Sequence, residues 1–296
     1  MPTHSRVALF GGVYSNHVAL RAAVDDAGRR GCDAMYCLGD LGAFGPNPDK
    51  VFPLLIDAGV VTVQGNYDNS IGHELSDCQC GYTDPADNYY ARLSYQYTYA
   101  KTSPRWRPWL RGLAGDLRFA MDLRSEAAEG SPASADRESR IANRRSEISN
   151  LRSQISGRTS TVLLCHGSPR KQNEFLWEST TPTHLLERFC DAHAADVVVA
   201  THTGLPWTRV LPSGRTFVNC GVLGRPANDG TPLVGYTVLD AATGPAHVQL
   251  AYDHEALAAE MEAEDLPAPF VETIRTGWWT TCLEILPAKE RARGKL

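Results

Sequence analysis

Residues 33–42 read DAMYCLGDLG, a short, largely apolar run that ends in a glycine and an aspartate. A run of that length, followed by a glycine turn, reads as a buried strand, and Asp40 then stands just past its carboxyl end. The arrangement recurs: VVTVQ (60–64) leads into GNYD (65–68), TVLLC (161–165) into LCHGSP (164–169), and ADVVVA (195–200) into ATHTGLP (200–206). RVALF (6–10) forms an earlier strand. A helix pattern through Val18, Leu20, Ala22, Ala23 and Val24 follows it, and another at about 48–58 carries Val51, Phe52, Leu54 and Leu55. Strand and helix alternating through short loops predict a parallel sheet with crossover helices. In such sheets sites form outside the carboxyl ends of the strands, which is where Asp40, Asn66, His166 and His202 fall.

A carboxylate, an amide oxygen and two imidazoles make a borderline-hard donor set suited to Mn²⁺, Fe²⁺ or Zn²⁺ rather than Ca²⁺. Each alone is a weak signal, because a strand-end Asp or His is commonly a cap. Four of them at successive strand ends of one sheet form a candidate metal site with positions left open for water or an oxyanion.

Further strands are expected at 117–123, 216–219, 232–240 and 246–251, and helices near 87–101, 103–112, 182–193 and 254–264. Residues 124–158 are rich in Ser, Ala, Arg and Glu, and Ile141, Ile148, Leu151 and Ile155 recur at heptad spacing. That stretch reads as a helical insertion, either solvated or making a short coiled-coil contact. Residues 253–296 read as a helical extension bearing Trp278 and Trp279 and ending basic. No linker divides the chain, so residues 1–296 are expected to form a single domain, and the insertion and aromatic tail are the candidate surfaces for self-association.

The 296 residues suffice for a full core. A net charge of −5 gives no nucleic-acid footprint, and no apolar run is long enough to span a membrane. The N-terminal residues lack a secretory pattern, and eight cysteines in a chain of this size do not make a disulfide scaffold, so a cytoplasmic protein is expected. Cys78 and Cys80 are spaced too tightly for a usual zinc pair. They read as partly buried loop thiols, with a redox role or a third-ligand role as the alternatives.

The order GDLGAFGPNP, GNYD, CHGSPR, THTGLP and NCGVLGRP resembles the calcineurin-like metallophosphoesterase superfamily, in particular its small bacterial phosphodiesterase branch, over roughly residues 6–251 without the insertion. The resemblance implies an α/β fold, a four-layer αββα sandwich of two packed mixed sheets flanked by helices. It also implies two metals bridged by the aspartate of the second motif. The ligands of one metal are all present as Asp40, Asn66, His166 and His202. Where the other metal's own ligands would stand, this chain has Gly12, Tyr14 and Gly204, and the histidine above the phosphate is Tyr67. Losses confined to one half of the centre predict a remodelled site holding one divalent ion per chain, a second metal being doubtful.

On this reading the chain is a metal-dependent phosphoesterase acting on a small phosphorylated substrate, most simply a phosphodiester. Arg170 and Arg225 are candidate phosphate clamps, since a guanidinium donates two parallel hydrogen bonds. Tyr67 is a candidate donor to the leaving oxygen, and Tyr14 either fills the lost metal's space or, as phenolate, coordinates ferric iron. Asp68 is expected to bind loop backbone, and His17 is a helix-start surface histidine or a further ligand. Two other classes remain: a non-catalytic binding scaffold of the same fold, and a mononuclear iron enzyme with non-phosphate chemistry.

Overall fold

The structure is a computed structural model and describes residues 1–122 and 159–294. The expected insertion at 124–158, with its heptad seam, lies outside the described residues. Eleven strands form two sheets. The first contains β2 (Arg6–Phe10), β3 (Ala34–Cys37), β4 (Val61–Thr62), β10 (Val234–Asp240) and β11 (Gly244–Leu250), in the order β11-β10-β2-β3-β4. The second contains β1 (Thr3–His4), β5 (Asp116–Asp122), β6 (Thr159–Cys165), β7 (Val197–Ala200), β8 (Pro206–Val210) and β9 (Thr216–Cys220), in the order β1-β5-β6-β7-β9-β8. Pairs β2–β3, β3–β4, β6–β7 and β7–β9 are parallel, while β10–β2 and β5–β6 are antiparallel. Both sheets are therefore mixed.

Alternation along the strands sorts side chains to two faces. Val7, Leu9, Leu38, Phe119, Val162 and Val218 fill the layer between the sheets. The outer face of the first sheet, with Ala8 and Phe10, is covered by α1 (His17–Arg29), α2 (Val51–Asp57) and α4 (Pro85–Lys101) through Leu20, Phe52 and Tyr95. The outer face of the second, with Leu163, Val198 and Phe217, packs on Leu186 and Phe189 of α6 (Thr183–His193). Helix, sheet, sheet, helix is the expected sandwich.

Local chemistry sets the boundaries. Asn16 caps α1, its Oδ1 accepting from the Ala19 amide at 2.9 Å, and Ala19, Leu20, Ala23 and Ala27 bury one face. Asp84 caps α4, with Pro85 in the first position, where a missing N–H costs nothing. The strand expected at 60–64 shortens to two residues, because Val63 and Gln64 instead hydrogen-bond Cys37 and Ala114 one at a time. GNYD is the first turn of a helix, α3 (Asn66–Gly72), rather than a loop. The helix expected at 103–112 is a 3-10 turn at Pro104–Trp106 followed by α5 (Arg107–Arg111).

The C-terminal extension contains α7 (His254–Ala263), α8 (Ala268–Thr276) and the short α9 (Ala288–Arg291). Its first two helices bury Leu257, Met261, Phe270 and Ile274 against Phe44 and Tyr97. Trp279 is not an exposed tail aromatic: it is buried with Trp177 and Leu286, which removes it as a surface for self-association. Cys37, Cys165 and Cys220 are buried free thiols. Among the described residues no helix is long and apolar enough to cross a membrane.

Candidate metal centre

The β3 strand ends at Cys37, and past Leu38 the chain turns through Gly39 into Asp40, both in the left-handed region (φ +88° and +53°). Gly39 is required because a Cβ there would run into the backbone of Gly65. Asp68 locks this close approach of two loops: its carboxylate accepts from the amides of Asp40 (2.8 Å), Leu41 (3.0 Å) and Gly65 (2.8 Å). That is the backbone-binding role expected of it. Burial and the nearby Asp40 push the Asp68 carboxyl up to about 6. His202, past the end of β7, also has a left-handed backbone (φ +67°).

These turns bring the four expected residues together, not along one sheet as expected but across two: Asp40 and Asn66 follow β3 and β4 of the first sheet, His166 and His202 follow β6 and β7 of the second. Nε2 of His166 lies 3.2 Å from Asp40 Oδ2, 3.1 Å from Asn66 Oδ1 and 3.1 Å from His202 Nδ1. All four residues are buried, none more than 7 % exposed.

The donor chemistry fits a cation. His166 Nδ1 is 2.6 Å from the Leu38 carbonyl and His202 Nε2 is 3.2 Å from the Cys80 carbonyl. A carbonyl only accepts, so each outer nitrogen carries its ring's proton, and each inner nitrogen presents a lone pair. Two imidazole lone pairs, a carboxylate and an amide oxygen then converge with no donor among them. Four such atoms at these separations are reconciled by a metal ion among them or by a proton on His166 Nε2 donated to Asp40, and Asp40, His166 and His202 offer ligand atoms within 4.8 Å of one another. Asp40 and His166 also stabilise each other's charged form. Burial opposes the charge on Asp40, but His166 beside it outweighs burial and holds the carboxyl below its ordinary range. Burial likewise lowers His166, but Asp40 more than reverses it, while burial and His166 together push His202 down to about 3.

The positions lacking ligands are occupied by rings. A Cβ on Gly12 would stand 2.6 Å from the Tyr14 ring, and one on Gly204 would stand 2.7 Å from Cη2 of Trp279. Trp279 is fixed by its Nε1 donating to the Pro226 carbonyl (2.7 Å) and its amide donating to Asn228 Oδ1 (2.8 Å). The guanidinium of Arg225 lies over the Trp279 ring at 3.4 Å and the Phe44 ring at 5.4 Å. Among the described residues it has no ion pair, and its buried Nε has no partner. Burial, reinforced by Asp40 and opposed by Arg225, raises the Tyr14 phenol above its ordinary value. Tyr14 thus fills the space beside Gly12 as a buried ring.

Three other candidates fall elsewhere. The Tyr67 phenol is fully buried and turned away, donating to Ser94 Oγ at 2.9 Å on α4. It contributes to the centre only through its amide, which donates to Asp40 Oδ1 at 3.0 Å, so the expectation of a leaving-group donor is corrected. Arg170 is exposed and paired with Glu174, its Nε donating at 2.9 Å; it clamps its own loop rather than facing the ligands. His17 pairs with Glu260 at 3.4 Å, remote from the ligands.

The sequence reading missed three contributors. A surface cleft of about 450 Å³ reaches His166 past Asp116, Ser168, Arg170 and Lys171. The Phe175 ring packs at a tilt against His202, ring centres 4.4 Å apart. Cys78 and Cys80 form a disulfide, not the free loop thiols expected. Asn66 Nδ2 donates to the Cys78 carbonyl at 2.8 Å and His202 Nε2 to the Cys80 carbonyl. The signal for this was the CQC spacing twelve residues after Asn66, and it carries no fold information by itself.

No protein-family model matches the sequence. An uncharacterised protein from Methanocaldococcus jannaschii is 34% identical over 67 residues, 23% of this chain and 28% of that protein, so this chain matches well under a third of its relative's length. A solved metallophosphoesterase from Sphaerobacter thermophilus superposes with a TM-score of 0.61 at 22% identity, covering 93% of this chain and 99% of the other. A hypothetical protein from Pyrococcus horikoshii superposes with a TM-score of 0.66 at 18% identity, covering 92% and 98%. The fold is that of the metallophosphoesterases.

Proposed function

We propose that this chain is a metal-dependent phosphoric ester hydrolase, acting on a phosphodiester and holding one Mn, Fe or Zn ion. The observation that carries the reading is the convergence of four acceptor atoms whose two imidazoles are locked, by the Leu38 and Cys80 carbonyls, into the ligating tautomers. Asp40, Asn66, His166 and His202 would hold the ion, which supplies Lewis acidity toward a phosphate oxygen and acidifies a bound water. Lys171 lines the cleft at His166 and offers a cationic contact there for a phosphate, while Arg170, paired with Glu174, stands at its rim. Arg225 contributes a fixed, water-excluded positive charge on the side where ligands are absent, the kind of group that stabilises developing oxyanion charge.

The experiment measures metal stoichiometry and turnover of an aryl phosphodiester for wild type and Asn66→Ala. One ion per wild-type chain with turnover, both lost in Asn66→Ala and after chelation, is the expected result; two ions per chain would overturn the single-site reading. The near-complete burial of all four ligands favours a second reading, a non-catalytic scaffold with a structural ion. One bound ion without turnover in Mn²⁺, Fe²⁺ or Zn²⁺ would select it.

A further inference from the structure

The turn Cys78-Gln79-Cys80 roofs the candidate metal centre. Its two half-cystine carbonyls each take a hydrogen bond from the outer atom of a different metal-ligand side chain: Cys78 from Asn66 Nδ2 at 2.8 Å, Cys80 from His202 Nε2 at 3.2 Å. Sγ of Cys80 itself lies 3.5 Å from Asn66 Nδ2. Outer partners of this kind fix ligand orientation and tautomer. Without the Cys80 carbonyl, nothing reserves the His202 proton for Nε2 and the lone pair for Nδ1.

The S–S bond ties the turn covalently, alongside side-chain hydrogen bonds from Asn66, His202 and Asn173 and the burial of both cysteines in the core. Among the described residues, no backbone-to-backbone hydrogen bond is donated by an amide from 76 to 83. Gln79 sits in the left-handed region (φ +53°), a conformation that costs a residue with a Cβ. Its side contacts are Asn173 Nδ2 donating to the Gln79 carbonyl at 2.6 Å and its own amide donating to Asp77 Oδ1 at 2.9 Å. Asp77, Gln79 and Gly81 are exposed on either side of the two buried cysteines, so the segment is a surface turn anchored by its disulfide and by side-chain hydrogen bonds, with no backbone ladder of its own.

We propose that Cys78–Cys80 is a thiol-disulfide exchange site that sets metal retention at this centre; the proposal rests on the metal-site reading above. Oxidised, the turn holds Asn66 and His202 in ligating orientation. A dithiol reductant opens it: one of its thiolates attacks a sulfur of the pair, forming a mixed disulfide and expelling the other cysteine as a thiolate, which takes up a proton. The reductant's second thiolate then closes its own disulfide and releases the second cysteine. Two electrons pass from the dithiol to the cysteine pair, and the metal's oxidation state is unchanged. The freed turn loses its fixed carbonyls, and the ion leaves more readily.

The test is calorimetric titration of metal-free full-length chain with Mn²⁺, which dithiols bind weakly, before and after dithiol treatment. Alkylation after unfolding counts six thiols in the oxidised chain and eight in the reduced one. Reduction is expected to weaken Mn²⁺ binding at least tenfold, within the range for lost outer partners. A Cys78→Ser/Cys80→Ser chain should show the weak affinity and no response to dithiol, with a metal-free melting temperature close to that of the reduced wild-type chain. Equal affinity at six and eight thiols, or tighter binding on reduction, overturns the proposal and leaves the metal site standing. No Mn²⁺ binding in either state, with Zn²⁺ and Fe²⁺ also failing on the oxidised chain, overturns both.

Discussion

The indole of Trp279 stands where a side chain on Gly204 would have to be, with Cη2 2.7 Å from the position of a Cβ there. The two residues are 75 apart in sequence, so the tail and the strand-end loop have been fitted to each other. Gly204→Ala is expected to destabilise the chain through both the clash and the φ of +90°, the conformational part alone being about 1–2 kcal/mol. Trp279→Ala should cost about 3–5 kcal/mol as a buried large-to-small change. In the Trp279→Ala background the Gly204→Ala penalty should shrink toward the conformational part, because the clash partner is gone. Urea unfolding of the four chains measures the coupling; a zero interaction energy would show that the ring does not define the glycine.

Arg225 separates stability from activity. A buried guanidinium without an ion-pair partner among the described residues is costly to desolvate, although stacking on Trp279 recovers part of that cost. Arg225→Met keeps most of the volume and removes the charge. It is expected to leave stability within about 1 kcal/mol of wild type or raise it, while lowering aryl phosphodiester turnover about tenfold to a hundredfold if the charge stabilises an oxyanion. Unfolding and turnover measured on one preparation decide it: a fall in stability with unchanged turnover would make Arg225 a packing residue.

The fold was legible because its signals are local and repeated. Apolar runs at 6–10, 33–38, 161–165 and 195–200, each ending in glycine or a polar residue, predict parallel strands whatever the family. The convergence of Asp40, Asn66, His166 and His202 was legible in part: strand ends locate each residue, but the pattern did not show that they come from two facing sheets. Tyr67 was misread because its place in GNYD says where its backbone lies, not where its ring points; Asn66 begins α3, and that turn swings the phenol toward Ser94. Trp279 and the Cys78–Cys80 turn reach the centre from far along the chain or across a loop, and no local periodicity encodes such contacts. β8 was missed because PWTRV opens with a proline, which suits it to the sheet edge it occupies.

Glu260 gives the chain an acid-sensitive clamp between α7 and the loop before α2. Its Oε1 accepts from Lys50 Nζ at 2.7 Å and Asn47 Nδ2 at 2.6 Å. Burial alone would raise this carboxyl, but Lys50 and Asn47 outweigh it and hold it below its ordinary value. His17, also beside it, is kept toward its neutral form chiefly by burial. A depressed carboxyl contributes stability that is present above the unfolded-state pKa, about 4.3, and is lost as pH falls through the lower folded value. Glu260→Gln should therefore lose about 1 kcal/mol at pH 7 and show a flatter decline of stability below about pH 4.3. Urea midpoints measured from pH 7 to pH 3 check both parts; a mutant curve parallel to wild type would exclude Glu260 as the titrating group.

Tyr67 offers the sharpest test of the rebuilt centre, because position in the motif and geometry assign it opposite roles. Its hydroxyl donates to Ser94 Oγ, which also accepts from the Phe44 amide at 2.8 Å. Burial raises the phenol well above its ordinary value despite the Ser94 bond, so it is neither a proton donor at neutral pH nor directed at the ligands. Its amide to Asp40 Oδ1 does not depend on the side chain. Tyr67→Phe is thus expected to cost about 1 kcal/mol of stability for one buried hydrogen bond, Ser94 keeping its bond from Phe44. Metal stoichiometry and aryl phosphodiester turnover should stay within about twofold of wild type, far short of the hundredfold or greater loss that follows removal of a general acid. A loss of that size with the fold intact would return the phenol to the reaction, which in this structure it could reach only by leaving Ser94 and swinging out of the core.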